Sequence, residues 1–131
     1  MKTLLAVLML AAAGAANAKT WNCRNAEMEI ACDGEACTAA FGPDFTPMTL
    51  ALNSDGEVAI CAYSGCWDGT GSVREHAGFM TVIAADLSFT PDLQGDGARQ
   101  RAAIVLDTEG NVALLRLGAF AQPMTCRATT D

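Results

Sequence analysis

Runs of alternating apolar and polar residues extend along most of the chain and are separated by short polar tetrads. Three tetrads end in glycine: residues 53–56 (NSDG), 75–78 (EHAG) and 107–110 (DTEG). A type I turn followed by a glycine at positive φ makes a three-residue hairpin loop. The pattern therefore predicts three β-hairpins, and no segment sustains a helical period over ten residues.

The length of each turn predicts which residues face each other across a hairpin. A three-residue loop pairs Leu52 with Val58 in the first hairpin and Leu106 with Val112 in the third. Residues two positions farther along each strand share the same face. The predicted core consists of the eight apolar residues on these two faces: Leu50, Leu52, Val58, Ile60, Ile104, Leu106, Val112 and Leu114.

The remaining segments complete an all-β prediction. Residues 27–31 and 37–40 are predicted strands around another short loop, and residues 124–127 form a last one. Gly69 and Gly71 predict a bend or a close backbone approach in the middle hairpin. About eight or nine short strands in succession favour a small antiparallel meander, closed as a barrel or folded as a sandwich and stapled by disulfides.

The N-terminal segment has the pattern of a signal peptide. Lys2 is followed by an uncharged apolar run, and residues 16–18 (ANA) offer the small-x-small site that signal peptidase cuts. The run is too short to span a bilayer, and no second candidate follows it. We therefore predict a signal peptide over residues 1–18 and a single β domain over residues 19–131. The short basic start is typical of bacteria, so we expect a periplasmic or secreted protein.

Six cysteines lie in the predicted mature chain, and an even number in a short exported protein indicates disulfides. Six cysteines allow fifteen pairings. Residues 32–37 and 61–66 each begin and end with cysteine around four residues, a common hairpin loop length. Spacing therefore favours three pairs: Cys32 with Cys37, Cys61 with Cys66, and Cys23 with Cys126.

The sequence contains no pattern typical of catalysis or of a bound cofactor. His76 is the single histidine and lies in a predicted turn, and no C-x-x-C motif is present. The serines lack a nucleophile-elbow context. The carboxylates of residues 53–57 and 107–111 resemble calcium loops but lack the twelve-residue spacing and the closing glutamate, and residues 92–96 (DLQGD) are the remaining candidate for calcium. We predict a non-enzymatic protein without metal or cofactor.

The charge of the chain restricts its partners. The sequence has eight cations and fifteen carboxylates, and signal cleavage removes only Lys2, which leaves a net charge of −8. Such a domain repels nucleic acid and anionic lipid and attracts cationic proteins. We expect no membrane insertion after cleavage, and a cationic protein of the cell envelope is the favoured partner. Alternatively, the charge only keeps the exported protein in solution.

The loop between Cys61 and Cys66 contains the candidate binding residues. Tyr63 and Ser64 fall at the tip of the predicted hairpin, and Trp67 and Asp68 follow on the emerging strand. A tyrosine on a rigid tip makes a binding anchor with little entropy to lose. In the alternative interpretation, Tyr63 folds back on the sheet and Trp67 belongs to the core.

In its overall plan the chain resembles the small periplasmic inhibitors of c-type lysozyme. The resemblance rests on Trp21-Asn-Cys23 near the start, on Cys126 near the end, and on the dipeptide Ser64-Gly65. It implies a compact antiparallel barrel that binds through a loop, but the residues after Gly65 do not match the inhibitory motif. The sequence thus favours a binding or inhibitor module, with a structural or accessory envelope protein as the alternative.

We predict that signal peptidase cuts after Ala18. The exported protein should then begin Lys19-Thr-Trp21, because the small residues at positions 16 and 18 fit the peptidase. N-terminal sequencing of the protein from an envelope fraction checks this, and recovery of an intact Met1 would contradict it.

Overall fold

The computed structural model describes residues 18–91 and 99–130, so the predicted signal segment and the candidate calcium loop lie outside the described residues. The described chain contains eleven strands and one short 3-10 helix, Gly42–Asp44. The strands are β1 (Lys19–Asn25), β2 (Met28–Asp33), β3 (Ala36–Phe41), β4 (Thr49–Asn53), β5 (Glu57–Ala62), β6 (Gly65–Thr70), β7 (Ser72–His76), β8 (Phe79–Thr90), β9 (Arg99–Asp107), β10 (Val112–Leu117) and β11 (Phe120–Thr130). None of the described helices is long and apolar enough to cross a membrane.

Eight of the strands form a closed antiparallel barrel, which confirms the all-β prediction and selects the barrel over the sandwich. Neighbours around the barrel are β1, β4, β5, β6, β8, β9, β10 and β11. The ring closes where β11 pairs with β1, from Lys19 opposite Thr130 to Asn25 opposite Met124. Closure leaves these strands no open edge, which is the physical advantage of a barrel over an open sheet.

The other three strands, β2, β3 and β7, lie outside the closed barrel. β2 and β7 pair with parts of β11 and β8, respectively, and β3 pairs with β2. After a bend at Ala26 and Glu27, β2 continues along β11, and β3 returns beside it. After Gly71, β7 continues along β8. The Gly71 amide donates to the Gly56 carbonyl at 2.8 Å, and a Cβ at Gly71 would come within 2.5 Å of a Val82 methyl. This close approach confirms the bend that the glycines predict.

The barrel has two different ends. The turns after β4, β7 and β9 lie at one end, which we call the turn end. The turn between β5 and β6, the β2–β3 hairpin and residues 42–48 lie at the other, which we call the loop end. The polar connections at the turn end are short, whereas the loop end carries the excursion of residues 26–48.

Alternate residues of the barrel strands point inward and fill the interior. Six of the eight predicted core residues are buried as expected: Leu50, Leu52, Val58, Ile60, Ile104 and Leu106. In the first hairpin, Leu52 faces Val58 and Leu50 faces Ile60, so the predicted register is confirmed. Gly56 has a φ of 89°, the positive value that a three-residue loop requires.

The prediction for the third hairpin was wrong by one residue. Val112 pairs with Asp107, so the loop has four residues, and Asn111 rather than Gly110 takes a positive φ. The Asp107 carboxylate accepts hydrogen bonds from the amides of residues 109 and 110 at 3.0 and 2.8 Å, which stabilises this longer turn. A shift by one residue turns a strand over. Val112 and Leu114 therefore point outward, 46% and 59% exposed.

Ala113, Leu115 and Leu117 occupy the interior positions of β10 instead. The middle hairpin also differs from a three-residue loop. His76 pairs with Phe79, which leaves a two-residue turn with positive φ at both central residues. Such a turn matches the twist of a hairpin, and glycine at its second position is common.

Three disulfides staple the barrel, and their pairs are those that the spacing favours. Cys23–Cys126 links β1 to β11 at directly paired positions, with both cysteines buried. Cys32–Cys37 and Cys61–Cys66 each cross a hairpin one pair away from a two-residue turn. The first bridge therefore locks the closure of the barrel, and the other two hold individual turns.

We expect the closing disulfide to contribute more stability than either hairpin disulfide. Loss of Cys23–Cys126 through a double alanine variant should lower the free energy of unfolding by nearly 5 kcal/mol, and loss of Cys32–Cys37 by about 2 kcal/mol, because the longer loop constrains the unfolded chain more. Urea denaturation measures both. Equal losses would contradict the assignment of the closing role to Cys23–Cys126.

Two neighbouring leucines test the register of β10. Leu115→Ala should lower the free energy of unfolding by about 2–4 kcal/mol because Leu115 is buried, whereas Leu114→Ala should change it little. Chemical denaturation of both variants decides between the observed register and the one predicted from a three-residue loop, which would reverse the two results.

Candidate functional site

The turn between β5 and β6 presents Tyr63 to solvent. Ala62 pairs with Gly65, which leaves Tyr63 and Ser64 as the two turn residues, and the disulfide spans the next pair of positions. Tyr63 is 79% exposed, and Ser64 is exposed beside it. The tyrosine therefore stands away from the sheet on a turn whose two strands are covalently linked.

The structure separates the other two candidate residues from this tip. Trp67 faces Ile60 on the inner side of β6 and packs on Phe89, with ring centroids 4.8 Å apart and planes tilted by 53°. It lies against the core, as the alternative interpretation of this residue expects. Asp68 lies on the outer wall opposite Ala59. Of the four candidates, only Tyr63 and Ser64 share the tip.

A groove with a volume of about 860 Å³ runs beside Tyr63 at the loop end. Tyr63 and Ala62 line it from the β5–β6 hairpin, which gives one wall. Phe45 and Pro47 line it from the segment before β4, which gives a second wall, and buried Met48 lines it as well. The glycine and proline content of residues 41–47 predicts only a loop there. The groove has mostly apolar walls, so it can hold an apolar side chain or an aromatic ring of a partner.

Asn25 holds the second wall of the groove in place. Its side-chain amide donates to the Thr46 carbonyl and to the Gln122 side-chain oxygen, both at 2.7 Å. Its own oxygen accepts the Met48 amide at 3.0 Å. Asn25 is 7% exposed, and buried amides that use all these partners fix backbone positions firmly. The segment between Phe45 and Met48 is thereby ordered without secondary structure.

A buried carboxylate extends this polar cluster. Glu29 is 7% exposed and accepts hydrogen bonds from the Gln122 amide at 3.4 Å and the Thr46 hydroxyl at 3.3 Å. Within residues 18–91 and 99–130, no Lys or Arg nitrogen lies within 4 Å of it. The cluster ties β2 to β11 and to the segment that forms the groove wall, so all three elements are fixed together.

Carboxylates outnumber cations around the groove. Arg24 and Glu27 line it, and Asp44 directly precedes the lining residue Phe45. A cationic partner therefore meets a favourable field at this end, whereas an anionic partner meets repulsion. The attraction is screened over about 8 Å at physiological ionic strength, so it acts mainly at contact.

The described residues contain no cluster suited to metal binding, since no three His, Cys, Asp or Glu side chains converge in them. His76 is exposed at the last position of β7, at the turn end and away from the groove. Tyr63 is an exposed aromatic residue in the lining of the groove.

Comparison with known proteins yields no match: no family model, no curated protein and no solved structure is similar to this chain at a significant level.

Proposed function

We propose that the protein is a non-enzymatic, exported binding or inhibitor module of the bacterial cell envelope that holds a cationic protein at the groove beside Tyr63. The observation that carries the proposal is the position of Tyr63, 79% exposed on a disulfide-closed turn at the edge of an apolar groove. Three disulfides in a small chain are typical of an oxidising compartment, which agrees with export to the periplasm or beyond.

The rigidity of both walls favours binding. Ordering a mobile loop and its side chains costs roughly 0.5–1.5 kcal/mol for each immobilised side chain. The disulfide holds one wall and the Asn25 hydrogen bonds hold the other before a partner arrives. The Cys61–Cys66 ring adds only about 2 kcal/mol to stability, so preorganisation of the tip is a second physical consequence of this bridge.

The favoured partner is a cationic protein because the predicted mature chain has a net charge of −8 and because Glu27 and Asp44 lie at the groove. A c-type lysozyme is the first specific probe, since the resemblance in plan to its inhibitors supports the same mode of binding through a loop. Inhibition would follow if the bound tip occupied the substrate cleft of the target.

Binding should depend on Tyr63 more than on other exposed aromatic residues. The protein is immobilised and exposed to a cell-envelope extract, and separately to c-type lysozyme, with salt elution. Tyr63→Ala should weaken binding of the retained protein by roughly 30-fold, as for a central interface residue. Phe120→Ala is the matched control, because Phe120 is an exposed aromatic residue that does not line the groove.

Two further outcomes complete the test. Cys61→Ala/Cys66→Ala should stay folded by circular dichroism yet bind more weakly than the wild type, since the tip loses its preorganisation. Retention that is equal for the wild type and Tyr63→Ala would place the contact elsewhere, and an envelope extract that leaves no stoichiometric protein on the column would contradict a binding module and favour the accessory role.

A further inference from the structure

The outer faces of β8, β9 and β10 differ from the rest of the barrel wall. Ile83, Val105 and Leu114 point outward from these three strands and are 53%, 39% and 59% exposed. Outward positions elsewhere on the barrel include polar residues such as Asn22 on β1 and Asp68 on β6. Strands that are apolar on both faces are typical of sheets covered on both sides. The wall face, defined as the outward residues of β8, β9 and β10, therefore lacks a cover.

We propose that the wall face is covered by a second copy of this chain, in an antiparallel two-fold dimer. The central row of the face is Thr81, Val105 and Leu114, which are directly paired across the three strands. The two-fold axis lies in the plane of the wall face and runs along this row, perpendicular to the strands. A half-turn about this axis places the turn-end side of one copy on the loop-end side of the other. This surface is separate from the groove beside Tyr63, so the proposal does not depend on the proposed function.

The two sides of the central row have complementary shapes. Toward the turn end, Phe79 and Val112 protrude, 48% and 46% exposed. Toward the loop end, the corresponding positions border a hollow of about 630 Å³, lined by Ala85 and Ala103 beside Ile83. An isologous interface must complement itself in this way, with each feature meeting its counterpart across the axis. The half-turn brings the protruding side of each copy onto the hollow of the other.

The charges of the wall face follow the same symmetry. Arg101 and Arg116 border the hollow on the loop-end side. Asp107 and Glu109 lie on the turn-end side. Arg101 precedes Val105 by four residues, and Glu109 follows Val105 by four residues. In the described chain the one ion pair joins Arg99 to Asp86, so neither bordering arginine is paired there. The half-turn sets arginines against carboxylates at both margins.

The size of the wall face indicates a reversible dimer. Three strands and three rows cover about 15 Å by 20 Å, or roughly 300 Å² before side chains at the margin are added. A standard interface buries about 800 Å² per partner. The dimer should therefore dissociate on dilution, whereas an obligate dimer would not.

Sedimentation velocity of the exported protein, made from the full 131-residue sequence, tests the proposal over a wide range of concentration. The wild type should shift from monomer to dimer as concentration rises. Arg101→Glu and Glu109→Arg should each raise the dissociation constant at least roughly tenfold, because each places like charges at both margins. Leu114→Ser should do the same without unfolding the barrel. Arg127→Glu, outside the three rows, is the control of equal charge change.

A mixture of Arg101→Glu with Glu109→Arg gives the sharpest result. In the mixed dimer both margins again join opposite charges, so the mixture should dimerise although neither variant does so alone. Failure of the mixture to dimerise would overturn the antiparallel arrangement. A wild type that stays monomeric at every concentration would overturn the proposal, and binding of that monomer to phosphatidylglycerol vesicles through Leu114 would assign the face to a lipid surface instead.

Discussion

The pairing of β1 with β11 is the contact on which the other features depend. Seven successive positions pair from Lys19 to Asn25, and the Cys23–Cys126 bridge lies at the fifth of them. Without it the barrel is an open sheet with two free edges, and the division into interior and outer wall is lost. The same pairing brings Asn25 next to Gln122, so closure of the barrel also builds the support of the groove.

Local chemistry determined how far the fold could be predicted. The first hairpin was correct because its turn and its alternating strands agree. The prediction for the third hairpin was wrong because Asp107 supports a longer turn. The pattern of β10 does not reveal this error. Val112 and Leu114 lie on one face and Ala113 and Leu115 on the other, so either register would bury apolar residues. An apolar pattern selects a register only when one face is polar.

The candidate site, like the fold, could be predicted from the sequence only in part. The position of Tyr63 at a hairpin tip was predictable, since the cysteines and the turn lie within six residues of sequence, whereas its exposure was left open between two interpretations. The second wall was not, because the Phe45 segment is held by hydrogen bonds of Asn25 to Thr46 and Met48. Asn25 in turn bonds to Gln122, which is 97 positions away in sequence. Trp67 and Asp68 are adjacent in sequence but point to opposite sides of β6, as alternate strand residues must.

The pairing of β1 with β11 also determines when the barrel can close, because the two strands lie at opposite ends of the domain. Cys126 follows Cys23 by 103 residues, so during synthesis or export β1 is present before β11, one of its two neighbours. An open edge is a template for wrong pairing between chains. Lys19, Asn22 and Arg24 make β1 a poor template, because charged and amide side chains disfavour association. Closure of the barrel is therefore a late step of folding, and the polar side chains of β1 limit wrong pairing before that step.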